Sequence, residues 1–233
     1  MRPERIKKAY LPMKPFFIIL AVIIVILACV VAGYLMFRKK ETAPIPLTAK
    51  LQGRIAIVVY SQSKVRNTAE VAEWIRRNTD GDMYFLEMET PYPEPYSETL
   101  KAASKDISDG IHPALDFIPD LSDYDIVFLG SPIWYGTYAP PVATLLDAEK
   151  IAGKTVAPFC THGGGGEGHF FADLRKECPE AHMLKGLSIR GSNQIERRLG
   201  VGVTSHHTEN DVITWLNGLF PADEPPTQGE ETK

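Results

Sequence analysis

The sequence predicts an α/β fold of three layers, in which helices cover both faces of a five-stranded parallel sheet, with one transmembrane helix ahead of it. Two observations predict the sheet. Short apolar, β-branched runs alternate with amphipathic segments, and the runs contain few polar residues, as strands buried on both faces do. A third observation predicts the membrane helix, because residues 16–37 contain 22 positions and no charge.

The 233 residues are 44% hydrophobic and 23% charged, with three Cys and a net charge of −4. The apolar content excludes a disordered protein, the Cys count excludes a disulfide scaffold, and the charge argues against a nucleic-acid partner. The charge is uneven. Residues 1–52 carry nine Lys and Arg against two Glu, whereas residues 53–220 carry 15 Lys and Arg against 23 Asp and Glu. A basic end is therefore joined to an acidic body of charge −8.

Residues 1–15 form the basic N-terminal segment, and the apolar run 16–37 follows. As a helix the run would span about 33 Å, enough for a hydrocarbon core of about 30 Å. A cleaved signal peptide is an alternative, although its apolar part is usually only about 7–15 residues. Lipidation at Cys29 is another, although the chain stays apolar through Phe37. We expect an uncleaved single-pass anchor in the lipid bilayer.

Basic residues flank the apolar run on both sides. Five precede it and four follow it: Arg2, Arg5, Lys7, Lys8 and Lys14, then Arg38, Lys39, Lys40 and Lys50. The positive-inside rule therefore favours an extracytoplasmic domain over a cytoplasmic one only slightly.

Residues 38–53 are predicted to be a linker, because Pro44 and Pro46 disfavour helix and no apolar period is present. A flexible segment of this length reaches on the order of 20 Å. At the other end, residues 221–233 form a polar tail with the composition of a disordered segment.

The globular domain is expected over residues 54–220. Its predicted strands are 55–60, 83–88, 125–130, 155–160 and 184–189, and its predicted helices are 68–77, 142–146, 170–178 and 209–219. Pro158 is unusual inside a central strand. In such sheets ligands bind beyond the carboxyl ends of the strands, so the loops after the first, third and fourth strands are the candidate site.

The first of these loops, residues 61–68, is rich in hydroxyls and leads into a helix. The N-terminus of a helix favours an anion such as phosphate. The alternative is a polar turn in which Asn67 or Thr68 caps the helix.

The second loop, residues 131–138, holds the adjacent aromatics Trp134 and Tyr135 between Pro132 and Gly136. A flat aromatic ligand would give both rings a stacking role. Alternatively, one ring covers the end of the sheet and the other is partly exposed.

The third loop, residues 161–168, contains five glycines, which allow a ligand to approach the backbone closely. Gly163, Gly165 and Gly168 match the spacing of a dinucleotide-binding loop, but that motif belongs after the first strand, with an acidic residue after the next. We therefore reject the dinucleotide interpretation. A merely flexible loop is the alternative.

Together the loops resemble those of flavodoxins, closest to bacterial members with PIWWG-type and CTHGG-type loops. Here the two read GSPIWYG over residues 130–136 and PFCTHGG over residues 158–164. LSIRG over residues 187–191 and YPEPY over residues 92–96 are also similar to that family. The resemblance implies a flavodoxin-like strand order of 2-1-3-4-5, with FMN bound where the first and third strands meet.

The resemblance also implies a cofactor site. The phosphate would be held by Ser61, Ser63, Asn67 and Thr68; the flavin would be flanked by Trp134 with Pro132, Ile133, Tyr135 and Gly136, and closed on its other side by Thr161, His162, Gly163 and Gly164. One departure stands out. Lys64-Val65-Arg66 replaces the single Gly that the family usually has in its first loop.

The function implied is that of a membrane-anchored FMN protein that carries electrons, or reduces a small acceptor such as a quinone, opposite a membrane-associated redox partner. No catalytic side chain is identified. The alternative is a membrane-tethered flavodoxin-fold module that has lost FMN and acts as a non-enzymatic interaction protein. A metal site is not expected, because the spacing of the six His fits no common zinc pattern.

Overall fold

The computed structural model describes residues 13–37, 43–62, 66–148, 151–193 and 209–222. The chain divides into two units, Met1–Ala43 and Pro44–Lys233. Residues 1–12 of the predicted basic segment 1–15 and residues 223–233 of the predicted tail lie outside the described residues.

The first unit contains helix α1, Met13–Phe37. Its described side chains are apolar and exposed, among them Phe17, Ile24 and Val31. Within the part of the chain that is fully described, no helix combines the length and apolar character needed to cross a membrane.

The second unit is built on a seven-stranded sheet with the order β2-β1-β3-β5-β6. Its strands are β1 Ile55–Val59, β2 Asp82–Phe85, β3 Ile126–Trp134, β4 Thr137–Tyr138, β5 Thr155–His162, β6 His182–Met183 and β7 Leu187–Arg190. All pairs are parallel except the short β3–β4 pair. The predicted parallel α/β sheet is confirmed, and its first four strands have the expected order.

The predicted fifth strand is instead two short strands, and Pro158 accounts for the division. β6 pairs with Thr155 and Val156, and β7 pairs with the stretch from Phe159 onward. Pro158 of β5 has no N–H to donate. On one side of β5 it lies in the gap between β6 and β7, and on the other side it pairs in register with Leu129 of β3. A proline is tolerated in this strand because one side of the ladder is interrupted there.

Among the described residues, five helices flank the sheet: α2 Asn67–Thr79, α3 Tyr96–Asp109, α4 Pro140–Ala148, α5 Phe170–Glu177 and α6 Glu209–Leu219. Four were predicted, and α3 was not. Leu100, Ala103 and Ile107 are its inward-facing apolar residues, at a helical spacing that marks this helix in the sequence.

Two apolar clusters, one on each face of the sheet, confirm the three layers. Side chains of α2 and α6 share one cluster with β-strand residues such as Ile57 and Phe128. Side chains of α3, α4 and α5 share the other with strand residues such as Val58 and Leu129. Ile57 and Val58 are neighbours on β1 that face opposite clusters, as the alternation of a strand requires.

Residues 45–50 lie along α6 instead of forming a free linker. Asn210 accepts a hydrogen bond from Ile45 N–H, and Asn217 accepts from the N–H groups of Thr48 and Ala49 at 2.7 and 2.8 Å. Lys50 N–H donates to the carbonyl of Phe220. The expectation of a flexible linker over residues 38–53 is thus wrong for this stretch, because two asparagines two helical turns apart satisfy its backbone. Residues 38–42 lie outside the described residues.

Candidate functional site

The carboxyl ends of β1, β3 and β5 lie side by side, and the three candidate loops meet there. The hydroxyls of Thr68 and Thr161 are 2.8 Å apart and buried, which joins the first loop to the third. The N–H of His169 donates to the carbonyl of Gly136, which joins the third loop to the second. The sequence therefore predicted correctly which loops come together.

The first loop is described only at its two ends. Ser61 is half-buried, and the predicted phosphate contact Ser63 lies outside the described residues with Lys64 and Val65. Arg66 has a left-handed backbone with φ of 48° immediately before α2, and its guanidinium lies over the ring of Phe85 at 5.0 Å. The positive charge of Arg66 therefore stays at this end of the sheet.

Asn67 is held by a segment that the sequence did not assign to the site. Its amide nitrogen donates to the carbonyl of Ser192 at 2.9 Å, and the Ser192 hydroxyl donates to the Asn67 oxygen at 3.2 Å. Gly191 makes this possible, because a Cβ there would lie 2.4 Å from the Asn67 nitrogen. Asn67 thus joins the first loop to the end of β7 and does not cap α2. The LSIRG motif that ends at Gly191 was the available signal.

A second set of contacts joins the first loop to the segment after β2. Gln62 donates to the carbonyl of Tyr92 at 2.9 Å and accepts a hydrogen bond from the hydroxyl of Tyr60. Burial raises the pKa of Tyr60, so this hydroxyl stays protonated and remains a donor.

The second loop is a β-hairpin, formed by β3 and β4, which we call the aromatic hairpin (residues 131–138). Trp134 pairs with Thr137, and the two residues between them, Tyr135 and Gly136, have φ of 50° and 84°. Two consecutive positive φ values define the tight turn that matches the twist of a hairpin. β3 therefore continues four residues beyond the predicted strand end, because β5 pairs with Ser131 and Pro132, and β4 pairs with Ile133 and Trp134.

The two aromatics of the hairpin have different environments. Trp134 is only 3% exposed and meets the rings of Tyr60 and Tyr92 edge-on, each at 5.7 Å between centroids. Tyr135 is 58% exposed. Of the two rings predicted to stack on a flat ligand, the structure leaves Tyr135 accessible and places Trp134 in the core. Pro132 and Ile133 are half-buried beside them.

Tyr96 is a further aromatic at this edge that the sequence placed in a motif but not in the site. It is 49% exposed, and the side chains of Trp134 and Tyr135 are close enough to affect the pKa of its hydroxyl. Desolvation raises the pKa of Tyr96. The site therefore has two accessible rings, Tyr135 and Tyr96.

The third loop is wrapped around one imidazole. We call residues 163–168 the glycine loop. The Nδ1 atom of His162 accepts hydrogen bonds from the N–H groups of Gly164 at 3.1 Å and Gly166 at 3.2 Å. A Cβ added to Gly163 or Gly165 would meet no atom within 4 Å, so a ligand can approach the backbone there.

The far end of the glycine loop packs directly on the turn of the hairpin. A Cβ at Gly168 would lie 2.2 Å from the carbonyl oxygen of Gly136, and Gly168 has φ of 59°. Below the loop, Thr137 of β4 donates to the carboxylate of Asp173 in α5. Glycine is therefore required at 168 for two reasons, backbone conformation and space.

Two groups beside the glycine loop bear on its chemistry, Arg190 and Cys160. Arg190 pairs in register with His162, and its Nε is 3.9 Å from the position of a Cβ on Gly164. Cys160 is buried, and desolvation raises its pKa to about 12, so its thiol is not a nucleophile at neutral pH. Among the described residues, no three His, Cys, Asp or Glu side chains group as a metal site; His206 and His207 fall outside that part.

The arrangement fits a flat aromatic ligand that carries a phosphate. The accessible ring of Tyr135 provides a stacking surface, and the glycine loop provides open backbone next to it. The first turn of α2 directs backbone N–H groups toward the same edge, where an anion is favoured.

The fold and these loops match known proteins. The family model described as Flavodoxin matches residues 54–199. A candidate flavoprotein from Bacteroides eggerthii DSM 20697 is 24% identical with a TM-score of 0.60, over 72% of this chain and 98% of that one. A flavoprotein from Lactobacillus acidophilus NCFM, solved in complex with FMN, is 25% identical with a TM-score of 0.52, over 64% of this chain and 98% of that one. No curated protein is significantly similar to the chain.

Proposed function

The chain belongs to the flavodoxin family, and from this premise we propose that it is an FMN-binding redox protein tethered to a membrane by its N-terminal helix. The observation that carries the FMN assignment is the accessible ring of Tyr135 beside a glycine loop with open backbone. A similar chain of known structure binds FMN. The cofactor would supply one- or two-electron transfer, which no protein side chain provides.

The residues of this chain would bind and orient FMN. Tyr135 would provide the stacking surface for the isoalloxazine, with Tyr96 at the edge of that surface. The open backbone of Gly163 and Gly164 would hold the ring from the glycine loop. The α2 N-terminus, with Ser61 and Asn67 beside it, would hold the phosphate.

Electrostatics of the domain would set the reduction potential. Residues 53–220 carry a charge of −8, which disfavours an anionic reduced flavin and lowers its potential. Arg190, next to the glycine loop, opposes that effect locally. The proposed acceptors are a small molecule such as a quinone or a membrane-associated redox protein.

The membrane assignment comes from the sequence. Residues 16–37 contain no charge and are flanked by basic residues, and as a helix they would span about 33 Å. We place the domain on the extracytoplasmic side, following the slight excess of basic residues before the apolar run. Protease treatment of intact and permeabilised cells checks this assignment: digestion of the domain only after permeabilisation would place it in the cytoplasm.

The FMN assignment is tested on the full-length protein purified in detergent. We expect the visible absorption of a bound flavin and a stoichiometry of one FMN per chain after reconstitution. A colourless protein that also fails to bind added FMN would contradict the proposal.

The second candidate is a flavodoxin-fold module that has lost FMN, which the enlarged first loop motivates. A variant with K64G and with Val65 and Arg66 deleted restores the usual family length. FMN binding by this variant but not by the natural chain would favour the second candidate. Binding by both supports the redox function.

A further inference from the structure

We propose that His162 is a positioning residue that shapes the glycine loop through its Nδ1 atom, and that this makes FMN affinity dependent on pH. The resemblance to flavodoxins implied only that His162 lies against the cofactor. The effect on FMN affinity rests on the proposed function. The effect on the shape of the glycine loop does not, and it is measurable in the chain without FMN.

The hydrogen bonds of His162 define which ring nitrogen carries the proton. Nδ1 accepts from Gly164 N–H and Gly166 N–H, so it holds a lone pair and no hydrogen. In the neutral ring the proton is therefore on Nε2. The backbone of His162 is also fixed, because its carbonyl accepts from the N–H of Gly191.

These two bonds determine the path of the loop. Gly164 and Gly166 have φ of 124° and 78°. Glycine adopts positive and negative φ about equally readily, so these residues do not by themselves fix the path of the loop. Glycine also loses more conformational freedom on ordering than any other residue. One acceptor that satisfies two N–H groups two residues apart selects a single path and offsets that loss.

Protonation of the imidazole removes this interaction. An N–H at Nδ1 would face the N–H groups of both glycines, and neither would keep its acceptor. Within the described part of the chain, the charged and titratable groups near the ring along the sequence and the sheet are Arg190 on β7, Glu167 in the glycine loop and His169 before α5. The loop is thus shaped while the ring of His162 is neutral and released when the ring is protonated.

Two substitutions separate the two nitrogens of the ring. In H162N the side-chain oxygen stands where Nδ1 was and can accept both N–H groups, but it does not titrate. In H162Q the amide stands where Nε2 was and the Nδ1 acceptor is lost. H182N removes a different, exposed histidine on β6 and serves as the matched control.

The first measurement is FMN affinity of the full-length protein by flavin fluorescence from pH 5 to 8. At neutral pH we expect H182N to bind like the natural chain, and H162Q to bind about 10-fold more weakly than H162N, from the loss of two hydrogen bonds. At acidic pH the FMN affinity of the natural chain and of H182N should fall about 10-fold more than that of H162N. H162N retains only the pH dependence of the FMN phosphate itself. Equal effects of both substitutions at position 162, or a weaker H162N, would overturn the proposal.

The second measurement is hydrogen exchange of residues 163–168 in the protein without FMN. Faster exchange in H162Q than in H162N supports the proposal, and equal exchange overturns it. Because this measurement needs no cofactor, it decides the role of His162 even if FMN binding itself fails.

Discussion

The aromatic hairpin and the glycine loop face each other across the candidate site, and they are held in place by different forces. The hairpin is fixed by a backbone ladder and by the buried ring of Trp134, which packs on Tyr60 and Tyr92. The glycine loop has no buried side chain among residues 163–168 and is held by hydrogen bonds to His162 and by its contact with Gly136.

Because different forces hold them, the two sides of the site can be altered separately. Apolar burial scales with area and is insensitive to pH, so the hairpin should respond mainly through global stability. Hydrogen bonds to a titratable ring respond to pH and contribute little to global stability. Substitutions in the two regions should therefore give different ratios of lost stability to lost FMN affinity.

The largest effect is expected for Trp134→Ala, which removes a buried ring from the base of the hairpin. We expect the free energy of unfolding to fall by about 3–5 kcal/mol, measured by urea unfolding. A loss below about 1 kcal/mol would show that the ring is not a core residue and that its burial does not hold the hairpin in place.

Gly168→Ala comes next, because it disturbs the contact between the two regions. The new Cβ would meet the Gly136 backbone, and the left-handed conformation would be strained, so we expect a loss of about 2 kcal/mol or more. Gly166→Ala is the control, since φ is also positive there but no atom lies within 4 Å. It should lose about 1 kcal/mol. Equal losses in urea unfolding would mean that backbone strain alone matters at position 168.

The buried hydroxyls of Thr68 and Thr161 form a hydrogen bond that joins the first loop to the third. Thr68→Val or Thr161→Val alone leaves one buried hydroxyl without its partner and should reduce stability by about 1–3 kcal/mol. The double variant should lose less than the sum, because neither hydroxyl remains. Additive losses in urea unfolding would show that the two loops are not coupled through this bond.

The smallest effect on stability is expected for Tyr135→Ala. The ring is exposed, so unfolding should change by no more than about 0.5 kcal/mol, whereas FMN affinity should fall about 10-fold through lost stacking. Tyr135→Phe should retain the affinity. FMN binding is measured by flavin fluorescence. Unchanged binding by Tyr135→Ala would show that the flavin does not lie against this ring.

Much of the domain could be predicted from local patterns. The continuous apolar run at residues 55–60 identified a strand buried on both faces, and β1 is found there. The loops after β1, β3 and β5 were predicted to meet because parallel strands place their carboxyl ends at one edge. Helix α3 was missed although Leu100, Ala103 and Ile107 have helical spacing, since its many polar residues obscured that pattern.

Other features could not be predicted, because they depend on residues distant in the sequence. Residues 45–50 have no pattern of their own, and their path follows from Asn210 and Asn217, more than 160 residues away. Ser192 was not assigned to the site, because its role depends on the amide of Asn67 across the end of the sheet.

Hydrophobic periodicity and turn composition are local properties, and they were enough to predict the sheet, its parallel strands and the edge at which the loops gather. The exposed aromatic of the hairpin and the nitrogen of His162 that shapes the glycine loop became known from packing in the folded domain. Trp134 ends β3 and is buried by Tyr60, just after β1, and by Tyr92, after β2, whereas Tyr135 lies in the turn of the hairpin. These neighbours are distant in the sequence, so no local pattern shows which ring they cover. A pattern identifies the residues of a site, whereas packing assigns each of them its role.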